Sequence, residues 1–145
     1  MTTPELPAGT DGAFGVLSAI SNFLNAPGEP MAGCEMPLNE LARITAERFP
    51  HKPYCLVEKW IFADLDITED EAAILRSHGQ EPNLLYSHRV IDDSAGRFHP
   101  GNWVRSTGLV KFTDGIYFET RNTVYVLVGE GQRKKVRPQI ILSIA

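Results

Sequence analysis

The segment from His88 to Arg105 concentrates the side chains that can do chemistry: His88, Arg89, Asp92, Asp93, Arg97, His99, Trp103 and Arg105. Two imidazoles and two adjacent carboxylates are the groups that acid–base catalysis uses, and the same groups can ligate a metal. The spacing argues against both uses. His88 and His99 fit no zinc pattern, and neither Cys34 nor Cys55 has a partner at C-x-x-C spacing. Asp92-Asp93-Ser94-Ala95-Gly96 also meets every requirement of an ordinary turn. No catalytic residue, metal site or cofactor is therefore assigned. A small hydrolase or transferase using His88, His99, Asp92 and Asp93 stands as an alternative, and it requires those groups to converge in one pocket. The segment reads better as a binding surface, with Arg97, His99, Trp103 and Arg105 displayed around a loop. Tryptophan and arginine are the types that dominate interface hot spots. Trp103 has a competing reading as a core residue.

A second cluster, Arg133, Lys134, Lys135 and Arg137, is the densest run of positive charge. It serves as an electrostatic rim that speeds encounter with a partner, or as a phosphate-contacting strip in a nucleic-acid-binding protein. Lysines on an edge strand also simply block unwanted sheet pairing. Gly129-Glu130-Gly131 precedes the cluster, but a phosphate loop needs more glycines and a helix start, so a hairpin turn is expected there. Ser106, Thr107, Thr120 and Thr123 have no nucleophile elbow around them and read as strand formers. Cys34 and Cys55 read as packing thiols.

The elements that must position these groups are legible from periodicity and punctuation. Residues 1–10 read as a tail. Asp11 is a plausible cap for a helix over 12–25 whose stripe is Ala13, Val16, Leu17, Ile20, Phe23 and Leu24. A loop spans 26–36, and a second helix opens near Pro37 and closes at Pro50. Tyr54 to Ile61 is aromatic and β-branched without a breaker, which predicts a strand. Thr68-Glu69-Asp70-Glu71 has capping-box form, opening a third helix that Gly79 stops. Strands follow over 84–91, 103–112, 116–120 and 123–128, then at Val136 and 140–144, with Thr113-Asp114-Gly115 as a hairpin loop. The fold class is α+β: N-terminal helices packed on a mainly antiparallel β-sheet, a meander formed by the C-terminal half.

The 145 residues fit a single domain, 1–145, able to build a core without disulfides. The hydrophobic share of 43% and the charged share of 22% exclude a disordered chain. The sequence has no apolar run of about 18 residues to span a bilayer. Its start lacks a basic, then apolar, leader, so the cytoplasm is the expected setting. The net charge of −4 divides unevenly, −8 before residue 83 and +4 from there on. An acidic layer beside a basic one can steer charged partners, unless folding interleaves the two.

The run Gly96-Arg97-Phe98, Gly101-Asn102-Trp103-Val104-Arg105-Ser106-Thr107 and Phe118-Glu119-Thr120-Arg121-Asn122-Thr123-Val124-Tyr125-Val126-Leu127 resembles a family of small uncharacterised bacterial proteins also met in phage and prophage settings. That resemblance covers about the last 60 residues, carries no activity over, and implies a bacterial cytosolic setting and an accessory role. The resulting expectation is a non-enzymatic module that binds a bacterial or phage protein through Arg97, His99, Trp103 and Arg105, rimmed by Arg133, Lys134 and Lys135. An unpaired sheet edge would also allow a homo-oligomer.

Overall fold

The structure, a computed structural model, describes residues 13–144. The tail expected over 1–10 and the Asp11 cap lie outside the described residues. Helix α1 (Ala13–Asn25) leads into a short strand β1 (Glu29–Met31), then α2 (Leu38–Arg48). The long strand β2 (Tyr54–Leu65) follows, then α3 (Glu69–Ser77) and β3 (Asn83–Asp93). Short strands β4 (Val104–Arg105), β5 (Lys111–Thr113), β6 (Tyr117–Glu119) and β7 (Val124–Leu127) come next. The chain finishes with β8 (Gly131–Val136) and the single turn α4 (Pro138–Ile141).

The fold is α+β, as expected, but the sheet is mixed and curled rather than a meander. Its centre is β2, the strand from the N-terminal half. β3 runs antiparallel along nearly all of one side of β2. On the other side β7 pairs parallel with Tyr54–Val57 and β8 parallel with Ile61–Leu65. The expected hairpin at Gly129-Glu130-Gly131 is thus a break in one line of pairing, because both flanking strands are bonded to β2 and not to each other. Gly129 takes φ +69 there. The interrupted backbone is satisfied from two directions. Cys34 donates its N–H to the Leu127 carbonyl (2.8 Å) and accepts from the Gly129 N–H (2.8 Å), while the Trp60 indole donates to the Val128 carbonyl (3.1 Å).

Two expected strands are corrected. Residues 103–112 carry only β4 and the start of β5, because Ser106 turns inward: its hydroxyl accepts from the Leu85 N–H (2.9 Å) and donates to the Thr107 carbonyl (2.7 Å). The expected strand at 140–144 is instead the turn α4, which Pro138 opens at a position where a missing N–H costs nothing.

Side chains on β2 switch faces midway. Cys55 and Val57 point into one core with Trp60, Phe62, Leu85, Val90, Phe118 and Leu127, so the inward positions are odd before residue 59 and even after it. Lys59, at φ +52, produces the switch, and neighbouring β3 makes the same change between Leu85 and Val90. A left-handed lysine costs on the order of 1 kcal/mol, which the pairing on both sides of β2 holds in place. On the outer face, α1 and α4 cover Ile61, Ala63, Leu84 and Tyr86, and α2 covers Leu56, Tyr117, Val124 and Val126 through Leu41 and Phe49. The acidic and basic halves of the chain interleave. Ion pairs Arg48–Asp114, Lys52–Glu119, Arg89–Glu58 and Arg133–Asp64 each join one half to the other.

Candidate binding surface

Arg97 is a framework residue. Its guanidinium forks onto Asp93 (Nε to Oδ2 3.1 Å, Nη2 to Oδ1 2.8 Å) and donates to the Thr123 hydroxyl (2.9 Å). The Arg97 and Phe98 backbone N–H groups also donate to Asp93 Oδ2, at 2.7 and 3.2 Å. The Asp93 carboxylate is fully buried, so the turn 93–98 is locked around it. Burial pushes its pKa up, but the hydrogen bonds and charge of Arg97 outweigh that and hold it below the ordinary carboxylate range. The neighbouring Cys55 thiol is pushed up to about 12, by burial first and then by Asp93, which makes it a packing thiol.

Arg105 is spent in the same way. From β4 its Nη1 donates to the carbonyls of Ile141 (3.3 Å), Leu142 (3.1 Å) and Ile144 (3.0 Å), closing the C-terminal end of α4. Lys134 does this for α1, donating to the carbonyls of Phe23 (2.6 Å) and Ala26 while its ammonium lies 5.7 Å from the Phe23 ring centre. Burial pulls the Lys134 pKa down. Arg133 forks onto Asp64 (2.7 and 2.9 Å) over the Phe62 ring. Lys135 is exposed and reaches Asp66 only at 3.8 Å. Two of the four cations at 133–137, Arg133 and Lys134, are therefore consumed in holding a neighbouring carboxylate and a helix end, while Lys135 and Arg137 are exposed.

Trp103 is different. It is 42% exposed, so it is not a core residue. Its ring lies nearly parallel to the buried Tyr86 ring, 24° apart with centres at 6.0 Å, and lines a hollow of about 510 Å³ with Phe98, Asn102, Val104 and Arg105. His88 meets the same Tyr86 ring edge-on at 5.0 Å, its Nδ1 3.3 Å from the tyrosine hydroxyl. β4 and β3 pair Arg105 with Tyr86 and Val104 with Ser87, and the same register carries Trp103 opposite His88. His99 is exposed on the loop between β3 and β4.

The four groups of the acid–base alternative do not form one constellation. Asp93 is saturated by Arg97 and backbone amides, and His88 sits against Tyr86. Among the described residues no three His, Cys, Asp or Glu side chains gather as a metal site would require. Sequence reasoning missed Tyr86, the support for the exposed indole, and Lys59. The signal for Lys59 was present: Glu58-Lys59 puts two polar residues in succession between Val57 and Trp60, where strict alternation allows one.

No helix of the described chain is long and apolar enough to cross a membrane. No curated protein and no solved structure matches the chain. The family resemblance expected for the last 60 residues extends toward the N-terminus to take in α2, β2 and α3. Over residues 31–143 the sequence matches the family model described as Domain of unknown function (DUF6957), and the chain belongs to that family.

Proposed function

We propose that this domain is a non-enzymatic binding module that engages another protein through Trp103, with His99 as a flanking contact. The observation that carries the reading is an indole left 42% exposed and stacked offset beside a buried tyrosine, 24° from parallel with ring centres 6.0 Å apart. A large ring immobilised before binding loses little entropy on association, which is what makes tryptophan a strong anchor. The residues around it support this role without being contacts themselves: Arg97 locks the loop before it, and Arg105 ties its strand to α4. The partner class follows from the family resemblance, a bacterial or phage protein met in the cytoplasm. The engagement of Arg133 and Lys134 inside the fold weighs against nucleic acid as the principal partner.

The test is capture of partners from a bacterial lysate on immobilised protein, in low and high salt and after nuclease treatment. Trp103→Leu keeps an apolar side chain over Tyr86 and serves as the matched control for folding. A protein band that survives salt and nuclease and falls at least tenfold with Trp103→Leu is the expected result. Retention that nuclease abolishes, or that Trp103→Leu leaves unchanged, overturns the reading.

A further inference from the structure

Where β2 and β3 change faces together, four ionisable side chains meet: Glu58, Lys59, His88 and Arg89. Glu58 and Arg89 neutralise each other at 3.1 Å. Lys59 forms no ion pair among the described residues. With His88 it lines a cleft of about 480 Å³ between the face-switching strands and the chain leaving α1. Gln132 and Lys134 line the same cleft, and among the described residues Glu130 is its only carboxylate. The cleft adjoins the indole, since His88 and Trp103 rest on one Tyr86 ring. Crossing from β4 to β2 takes two strand spacings, about 10 Å; residues i and i+2 of an extended segment share a face about 7 Å apart, and the length of their side chains covers the rest.

We infer that this surface takes an acidic segment of the partner, with a carboxylate side chain in the Lys59–His88 cleft and an apolar or aromatic side chain two residues on against Trp103. The assignment rests on the protein-binding reading and adds the chemistry of its partner. Charge complementarity selects the acidic side chain, because the described lining of the cleft carries two ammonium groups, Lys59 and Lys134, against the single carboxylate of Glu130. The exposed indole selects the flanking apolar group.

The probe is a capped peptide, Glu-Glu-Ala-Phe, titrated into isotope-labelled full chain and followed by the Lys59 and His88 amides and the Trp103 indole N–H in NMR spectra. Controls replace both glutamates by lysine, or the phenylalanine by alanine. The expected result is shifts confined to these three groups, at least tenfold weaker binding of either control, and tenfold weaker binding by Lys59→Glu, which in turn prefers the lysine peptide. Lys59→Gly removes the charge and relieves the φ of +52, so it stays folded and should lose affinity as well. Equal binding of acidic and basic peptides, absence of shifts at millimolar peptide, or shifts elsewhere overturn the inference. If that happens while Trp103→Leu still abolishes capture, only the acidic assignment fails. If capture is also unaffected by Trp103→Leu, the protein-binding reading fails with it.

Discussion

Arg97→Ala is expected to destabilise the domain by about 2–3 kcal/mol at neutral pH, although Arg97 has the look of a contact residue in the sequence. Removing one partner of a buried pair leaves the other charge uncompensated, which typically costs 3–5 kcal/mol. The lower figure applies because Arg97 keeps 35% of its side chain exposed while Asp93 keeps none. The pH dependence identifies the mechanism. In the native protein Asp93 has a depressed pKa, so its stabilisation is present above the unfolded value of about 3.9 and is lost as pH falls through the folded value. Without the Arg97 side chain only the backbone N–H groups of residues 97 and 98 still favour the carboxylate, and desolvation, the largest single cause, is expected to carry the folded-state pKa above the unfolded one. The deficit of Arg97→Ala should then be largest at neutral pH and shrink as pH falls toward 4.5. Urea denaturation at the two pH values reads this directly, and Asp93→Asn in the same chain should recover part of the loss. A gap between variant and native protein that is equal at both pH values would mean Asp93 is not the group left stranded.

Gly131→Ala is expected to cost about 3 kcal/mol, at the upper end for overpacking a core. A Cβ at Gly131 would stand 2.2–2.5 Å from three atoms of the Trp60 ring. That ring cannot retreat, because it is 1% exposed and its N–H is committed to the Val128 carbonyl. Gly33 closes on the same place: its Cβ would lie 2.3 Å from the Gly129 carbonyl oxygen and 3.0 Å from the Trp60 ring. The two glycines let backbone pass directly over the indole where β7 gives way to β8. Gly79→Ala provides the contrast. Gly79 sits at φ +79 with nothing within 4 Å of an added Cβ, so only the backbone term of about 1 kcal/mol applies. Thermal denaturation of the two variants should rank Gly131→Ala well below Gly79→Ala. The reverse order would show that Trp60 has room to move.

The parts of this fold that were legible in the sequence are those set by neighbours along the chain. The Thr68–Glu71 capping box forms as its residue types demand, with the Thr68 hydroxyl accepting from the Glu71 N–H and the Glu71 carboxylate accepting in return. Asp114 and Gly115 both take positive φ at the β5–β6 bend, as a tight hairpin needs. The amphipathic stripe of α1 buries Phe23 and half-buries Val16, Ile20 and Leu24, but Leu17, expected on the same stripe, is left exposed. What was hidden depends on partners distant in sequence. Nothing local to Tyr54–Leu65 says that it pairs parallel with residues some seventy positions away, or that its alternation restarts at Lys59. β1 was hidden by Pro30, tolerable only because that strand is at an edge.

The same division runs through the candidate site. Trp103 and His99 are exposed, while Arg105, Arg133 and Lys134 are held by groups distant in sequence, and Arg97 is held by Asp93, four residues before it, and by Thr123. A cation in a sequence has the same form whether it faces solvent or closes the end of a helix. The carbonyls it caps come from main chain, which carries no residue-type signal.

The account therefore stands on a separation of roles: cations build the frame, and the indole is what the frame displays. Urea denaturation of Arg105→Ala beside Trp103→Leu tests that separation most directly. Arg105→Ala takes the side-chain donor from the carbonyls of Ile141, Leu142 and Ile144, of which, among the described residues, only Ile141 keeps a backbone N–H partner, and should lose about 2 kcal/mol. Trp103→Leu keeps Tyr86 covered and should stay within about 1 kcal/mol of the native protein. An Arg105→Ala protein as stable as the native one, or a Trp103→Leu protein that loses as much as Arg105→Ala, would contradict it.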